Sequence, residues 1–361
     1  RRQRQMCIRD RLTEMRSREL DDRERALFEQ LQLSQQILGF AESELQLEVG
    51  KRYRSYVELD GSSVVWNLFA APALSLEPKR WCYPFVGCAP YRGYFALEDA
   101  QRYQAKLEAE GFETYLGGVA AYSTLGWFDD PLLSSFIHRP AANLADLLFH
   151  ELAHSRVWVK GDVAFNEAFA SFVGRQGMRQ WLLQRGESDA LEAYMNRQAA
   201  RRNFLGLLSE ARAALQTIFT SELSDELKTE RKAAVLAAAR SCFAASQEAY
   251  GDDAYTRTLA RLNNALLVSI STYDDQVPAF AALFAQVDQD WPAFYDAVGS
   301  LAELDPGPRE QRMTALGERQ IADHADDDRA KQVQCDALTS HRFDAHPAGA
   351  EDDDVGRGRD G

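Results

Sequence analysis

The stretch Leu147-Leu148-Phe149-His150-Glu151-Leu152-Ala153-His154 constrains this chain more than any other. On a helix, His150 and His154 stand one turn apart and project from the same face. Both can offer a ring nitrogen to one zinc ion, while Glu151, about 100° further round, can face a metal-bound water. This is the HExxH spacing of metallopeptidases. The surroundings read as helix: Pro140 suits a first turn, Asp146 lies near the positive end, and Leu144, Leu148, Phe149 and Leu152 form an apolar face opposite the histidines. Leu147 and Val157 make the other face partly apolar too. A helix buried on most sides that carries two histidines and a glutamate needs a chemical reason. The alternative is a partly exposed helix whose histidines bond only to neighbours.

A catalytic zinc takes three protein ligands and keeps one position for water. The extended metzincin pattern would put glycine at 157 and histidine at 160, but Val157 and Lys160 stand there. The next carboxylates are Asp162 and Glu167, with none after them until Glu187. Lys160-Gly161-Asp162 reads as a turn followed by a helix cap, which gives Asp162 a structural role. Glu167 is the expected third ligand, on a second helix that runs antiparallel to or across the first. Asp146, one turn before His150, either orients that imidazole or is simply an acid at a helix start.

These residues carry a resemblance. Tyr122-Ser123-Thr124-Leu125-Gly126-Trp127-Phe128-Asp129-Asp130-Pro131, the His150 motif and Phe165-Asn166-Glu167-Ala168-Phe169-Ala170 resemble the bacterial family of predicted or putative aminopeptidases, HExxH proteins of the gluzincin type. Trp66-Asn67-Leu68-Phe69-Ala70-Ala71-Pro72, the stretch from Trp81 to Cys88, Tyr91-Arg92-Gly93-Tyr94-Phe95 and Leu262-Asn263-Asn264-Ala265 extend the likeness, which spans roughly residues 45–304. The resemblance implies a zincin-like fold, metal ligands at His150, His154 and Glu167, Glu151 as general base, and a bacterial envelope location. Residues 1–25 show no apolar signal core, and Gln5-Met6-Cys7 lacks the small residues that precede a lipid-modified cysteine.

A net charge of −14 argues against a nucleic-acid partner, and no apolar run approaches the ~18 residues of a membrane span. The expected fold class is α+β, a small mixed sheet followed by a mostly helical half, in four segments. Residues 1–25 are a charged, unstructured start. Residues 26–175 are the α+β half with both ligand helices. Residues 176–304 are a helical half walling the cleft, and residues 305–361 are a disordered acidic tail. Helices are expected over 25–47, 97–110, 182–220, 222–250, 254–270, 277–287 and 291–304, the fourth and third of these forming an antiparallel hairpin. A buried strand is expected over 64–69. A hairpin is expected over 112–125 with its turn at Gly117-Gly118, and its second strand, 121–126, is a candidate edge for holding a substrate strand. An ordinary hairpin over the core is the plainer reading. Cys82 and Cys88 flank a short loop and would be bridged in an oxidising compartment or free thiols in a reducing one. Tyr273, in a break between helices, is either packing or a hydroxyl for the oxyanion. The expected activity is zinc-dependent hydrolysis of peptide bonds. Two other readings stay open: an inactive zinc-holding scaffold that binds peptides, and a zinc amidase acting on cell-wall fragments. Exopeptidase action would need an acidic group for the free α-amine, and no Gly-x-Met-Glu-Asn motif is present.

Overall fold

The computed structural model describes residues 6–59, 63–83, 87–119, 129–250, 253–270 and 276–328. The charged start is not structureless. Strand β1 (Met6–Cys7) leads into helix α1 (Ile8–Arg16), and α2 (Asp22–Ser43) follows. Ile8, Leu12 and Met15 recur at helical steps beneath the charges, and burial of Ile8 and Met15 in the main core holds α1 in place. A capping box starts α2: Asp21 accepts from the Glu24 N–H at 2.8 Å and Glu24 accepts from the Asp21 N–H at 3.3 Å. Leu27, Leu31, Leu38 and Ala41 then bury one face of it.

The strands are short: β2 (Ser55–Val57), β3 (Val65–Pro72), β4 (Trp81–Tyr83), β5 (Gly87–Ala89), β6 (Arg92–Tyr94), then helix α3 (Leu97–Ala109), β7 (Phe112–Val119) and β8 (Leu132–Leu133). They form three small sheets, ordered β1-β2-β8, β6-β3-β7 and β4-β5. The Cys82–Cys88 disulfide is formed across the β4–β5 ladder, where the two residues are directly paired.

The turn expected at Gly117-Gly118 is absent. The strand runs straight through to Val119, with Gly117 opposite Asn67 and Gly118 opposite Trp66. These glycines serve close approach rather than reversal: a Cβ on Gly118 would collide with Ser63 Oγ and lie 3.1 Å from the Trp66 ring. The proposed edge segment 121–126 lies outside the described residues.

Ten helices follow β8 among the described residues. They are α4 (Ala141–Ala153), α5 (Val163–Gln184), α6 (Ser188–Thr220), α7 (Asp225–Ala245), α8 (Gln247–Tyr250), α9 (Asp253–Ala260), α10 (Asn264–Ser269), α11 (Val277–Gln286), α12 (Trp291–Ala302) and α13 (Pro306–Asp328). The main core gathers buried residues of α1, α2, α4, α5, α11, α12 and α13. A second core fills the seam between α6 and α7 together with α9 and α10. A third, smaller one lies between the β3 sheet and α3. Lys232 of α7 reaches across to the sheet, donating to the Ala73 carbonyl at 2.7 Å and pairing with Glu113.

Two expectations are corrected here. The single helix over 254–270 is two, because the Asn263 side chain accepts from the Leu266 N–H at 2.8 Å and starts α10 afresh, while Asn264 donates to the carbonyls of Pro72, Ala73 and Ser75. The stretch past Asp305 begins with α13, whose Met313 and Leu316 are buried in the main core. Arg309, only 5% exposed, donates to Asp162 at 3.0 Å and to the carbonyls of Ala302 and Leu304. Residues 329–361 lie outside the described residues. No helix among the described residues is long and apolar enough to cross a membrane.

Candidate metal centre

Helix α5 is fixed before it presents any chemistry. Phe165, Phe169 and Phe172 run along one face at three- and four-residue steps and stack into an aromatic cluster with Phe280, Phe284, Trp291 and Phe294, at centroid separations such as 5.7 Å for Phe169–Phe280 and 5.1 Å for Phe172–Phe294. The opposite face meets α4. There the helices nearly touch: a Cβ on Gly174 would lie 2.7 Å from the Asp146 carbonyl oxygen and 3.2 Å from His150 Cβ. Glycine at that position is what allows α5 so near the histidines.

The link between the helices is also held. The Asn166 side chain accepts from the Val159 N–H and donates to the Val159 carbonyl, both at 2.8 Å. Asp162 accepts from the Phe165 N–H at 3.1 Å, as a cap should. Glu167 follows Asn166 directly, so this bracing sets its position against the end of α4.

His150, His154 and Glu167 converge. His150 Nε2 lies 3.2 Å from His154 Nε2, His150 Nε2 is 3.4 Å from one Glu167 oxygen, and His154 Nε2 is 3.6 Å from the other. The imidazole planes are nearly perpendicular, at 88°, and Trp158 sets its ring edge-on against His154. One ligand atom from each residue lies within 4.8 Å of the others, so the three could hold a metal ion. His154 is 4% exposed, and its Nδ1 is buried with no partner among the described residues.

The three groups titrate abnormally. Burial, helped by the neighbouring His150, pushes His154 down to about 4. Burial also pulls on His150, but its hydrogen bond to Glu167 and the charges of Glu151, Glu167 and Asp146 outweigh it, and its pKa is raised. For Glu167 burial acts upward, yet the hydrogen bond from His150 and the charges of both imidazoles hold it below the carboxylate range.

Glu151 lines a cavity of about 330 Å³ beside these groups, together with His150 and Glu167. Asp146 is placed one turn behind His150, but its direct bond is to Tyr194, whose hydroxyl donates to Asp146 Oδ2 at 2.8 Å. Burial raises Asp146 despite that bond. Tyr273 lies outside the described residues. Sequence reading missed Tyr194 and Arg201, brought to the site by α6, Arg175, two turns beyond Glu167 on α5, and Arg139, just before α4. The one local signal was the polar run Tyr194, Gln198, Arg201 at helical steps within an otherwise apolar stripe.

No curated protein and no solved structure matches the chain. A family model does, over residues 3–316, and that span contains α4 and α5, the bracing of Glu167 and the buried start of α13. The family's description points to peptidase activity. A match over so much of the sequence makes the chain a member of the family described as Putative aminopeptidase.

Proposed function

We propose that this protein is a zinc-dependent peptidase in which His150, His154 and Glu167 hold the ion and Glu151 is the general base. The supporting observation is the convergence of three side chains: the Nε2 atoms of His150 and His154 stand 3.2 Å apart, and each faces a different oxygen of the Glu167 carboxylate, at 3.4 and 3.6 Å. Ligands about 2.0–2.2 Å from one zinc in tetrahedral directions stand about 3.3–3.6 Å apart. The two imidazole nitrogens are already close to that spacing, and each has a carboxylate oxygen at about the same distance. Two imidazoles and one carboxylate beside a cavity match the donor set of catalytic rather than structural zinc sites.

When bound, the ion would supply a Lewis acid for the scissile carbonyl and a water whose pKa is brought toward neutrality. Glu151, adjacent to His150 on α4, takes the proton of the attacking water and passes it to the leaving amine. His154, kept neutral by burial, needs no proton removed before it can act as a ligand at neutral pH. Asp146 stands one turn behind His150, and the Tyr194 hydroxyl holds its carboxyl in place. The Cys82–Cys88 bridge agrees with an oxidising location such as the bacterial envelope.

Plasma emission on the purified wild type, Glu167→Ala and Glu151→Gln, with peptide hydrolysis measured alongside, tests the reading. Wild type and Glu151→Gln should carry stoichiometric zinc, and Glu167→Ala should lose most of it. Glu151→Gln should cut turnover by on the order of 10²–10⁴-fold. A wild type that takes up no zinc when folded in its presence would overturn the reading.

A further inference from the structure

The cavity changes chemistry along its length. One end carries His150, Glu151 and Glu167; the other is lined by Arg139, Asn143, Arg175, Gln198 and Arg201. Helical steps bring these residues there from three segments. On α5, Glu167, Ser171 and Arg175 are spaced i, i+4, i+8, so Arg175 stands about 12 Å along the axis from Glu167. On α4, Glu151, Leu147 and Asn143 make the same progression in reverse, and Arg139 precedes the helix by two residues. On α6, Gln198 and Arg201 continue the stripe of Tyr194, whose bond to Asp146 ties that helix to α4.

Among the described residues, three guanidiniums and one carboxylate, Asp146, line this end, and Asp146 is buried and accepts from Tyr194. Burial pulls the Arg139 guanidinium below its ordinary value, as expected for a cation partly withdrawn from water. Each guanidinium carries five N–H donors, so a carboxylate can accept paired N–H bonds from the arginine forks, with Asn143 and Gln198 as neutral donors. At about 3.3 Å of extended chain per residue, and allowing for the reach of the side chains, the arginines meet a substrate roughly two to three residues from the bond being cut.

We infer that the arginine end is a subsite for a carboxylate of the peptide substrate, either its C-terminal α-carboxylate or an Asp or Glu side chain two to three residues from the scissile bond. The inference rests on the peptidase reading of the His150 end. It makes a carboxylate, not a free α-amine, the group by which the substrate is selected.

The test uses zinc-loaded wild-type protein and two pairs of quenched fluorescent peptides. One pair differs only in a free or amidated C-terminus, the other only in Glu or Gln within three residues of the cut. At least one pair should favour the carboxylate by roughly tenfold or more in kcat/KM, mainly through KM. The pair that does so identifies the source of the carboxylate. In Arg175→Gln and Arg201→Gln the ratio should fall toward one. Equal turnover within both pairs, with cleavage intact, would overturn the subsite and leave the peptidase reading standing. If no peptide is cut, the peptidase reading falls, and calorimetry on Glu151→Gln protein still judges the subsite. N-acetyl-Ala-Glu should then bind roughly tenfold or more tighter than N-acetyl-Ala-Gln-amide, with the difference lost in Arg201→Gln, and equal binding of the two would reject the inference.

Discussion

The two halves of α6 lie on one stripe and serve different ends. Tyr194, Gln198 and Arg201, then Phe204, Leu208, Ala211, Leu215 and Ile218, succeed one another at three- and four-residue steps along a stripe that winds slowly round the helix. The later residues close the second core against Val235, Leu236, Ala239 and Phe243. The earlier ones leave that seam, bond Asp146 and line the cavity. The period never breaks, but the chemistry does. A buried stripe that turns polar without losing its register marks where a helix stops serving its packing partner and starts serving a site.

The largest expected effect lies in the apolar half. Leu215→Ala should destabilise the protein by about 2–5 kcal/mol, because Leu215 is fully buried and its removal leaves a cavity. Urea unfolding measures this, and peptidase activity per folded molecule should match wild type. Loss of activity without loss of stability would dissolve the division of α6 drawn above.

The polar region should instead answer to pH. In metal-free protein, the unfolded chain takes up a proton at His154 below about pH 6.5, while the folded chain does not until about pH 4. The unfolded state binds more protons in that interval, so stability rises with pH there and falls, by up to roughly 3 kcal/mol, as the solution is acidified through it. His150, with its raised pKa, acts above that window, where its contribution is lost as pH rises through its folded value. Urea midpoints of chelator-treated protein between pH 7 and 4 should slope more steeply for wild type than for His154→Asn. Parallel curves would mean that His154 does not set the dependence.

Tyr194→Phe should have the smallest effect, about 1–3 kcal/mol, since it strips the buried Asp146 of its donor. Combined with Asp146→Asn it should cost less than the sum of the two single changes, as expected for groups in contact. Additive costs in the double-mutant cycle would show that the bond does not couple α6 to α4.

What could be read from the sequence depended on how local the cause was. The His150, Glu151, His154 spacing, the Asp162 cap and the helix bearing Glu167 follow from residues a turn or two apart, and the structure brings the three donors together. Gly117-Gly118 misled because glycine serves both turns and close approach, and only the register with Trp66 distinguishes them. Helices α1 and α13 were hidden because each buries few apolar residues among many charges, among them Ile8 and Met15 in one, and Met313 and Leu316 in the other. The break at Asn263 did carry a signal, an N-cap residue that went unread. The gathering of Arg139, Arg175 and Arg201 had no local signal beyond the polar steps of Tyr194, Gln198 and Arg201, because three separate segments supply it.

The bond between Arg309 and Asp162 has a bearing on when the site can exist. During synthesis His150, Glu151, His154 and Glu167 leave the ribosome well before α13, yet the cap that starts the helix of Glu167 is itself gripped by Arg309. Domains assemble as the chain emerges, so this cluster of side chains reaches its held form only after α13 has been made. A nascent chain that stalls before α13 would present these side chains without the clasp that steadies them.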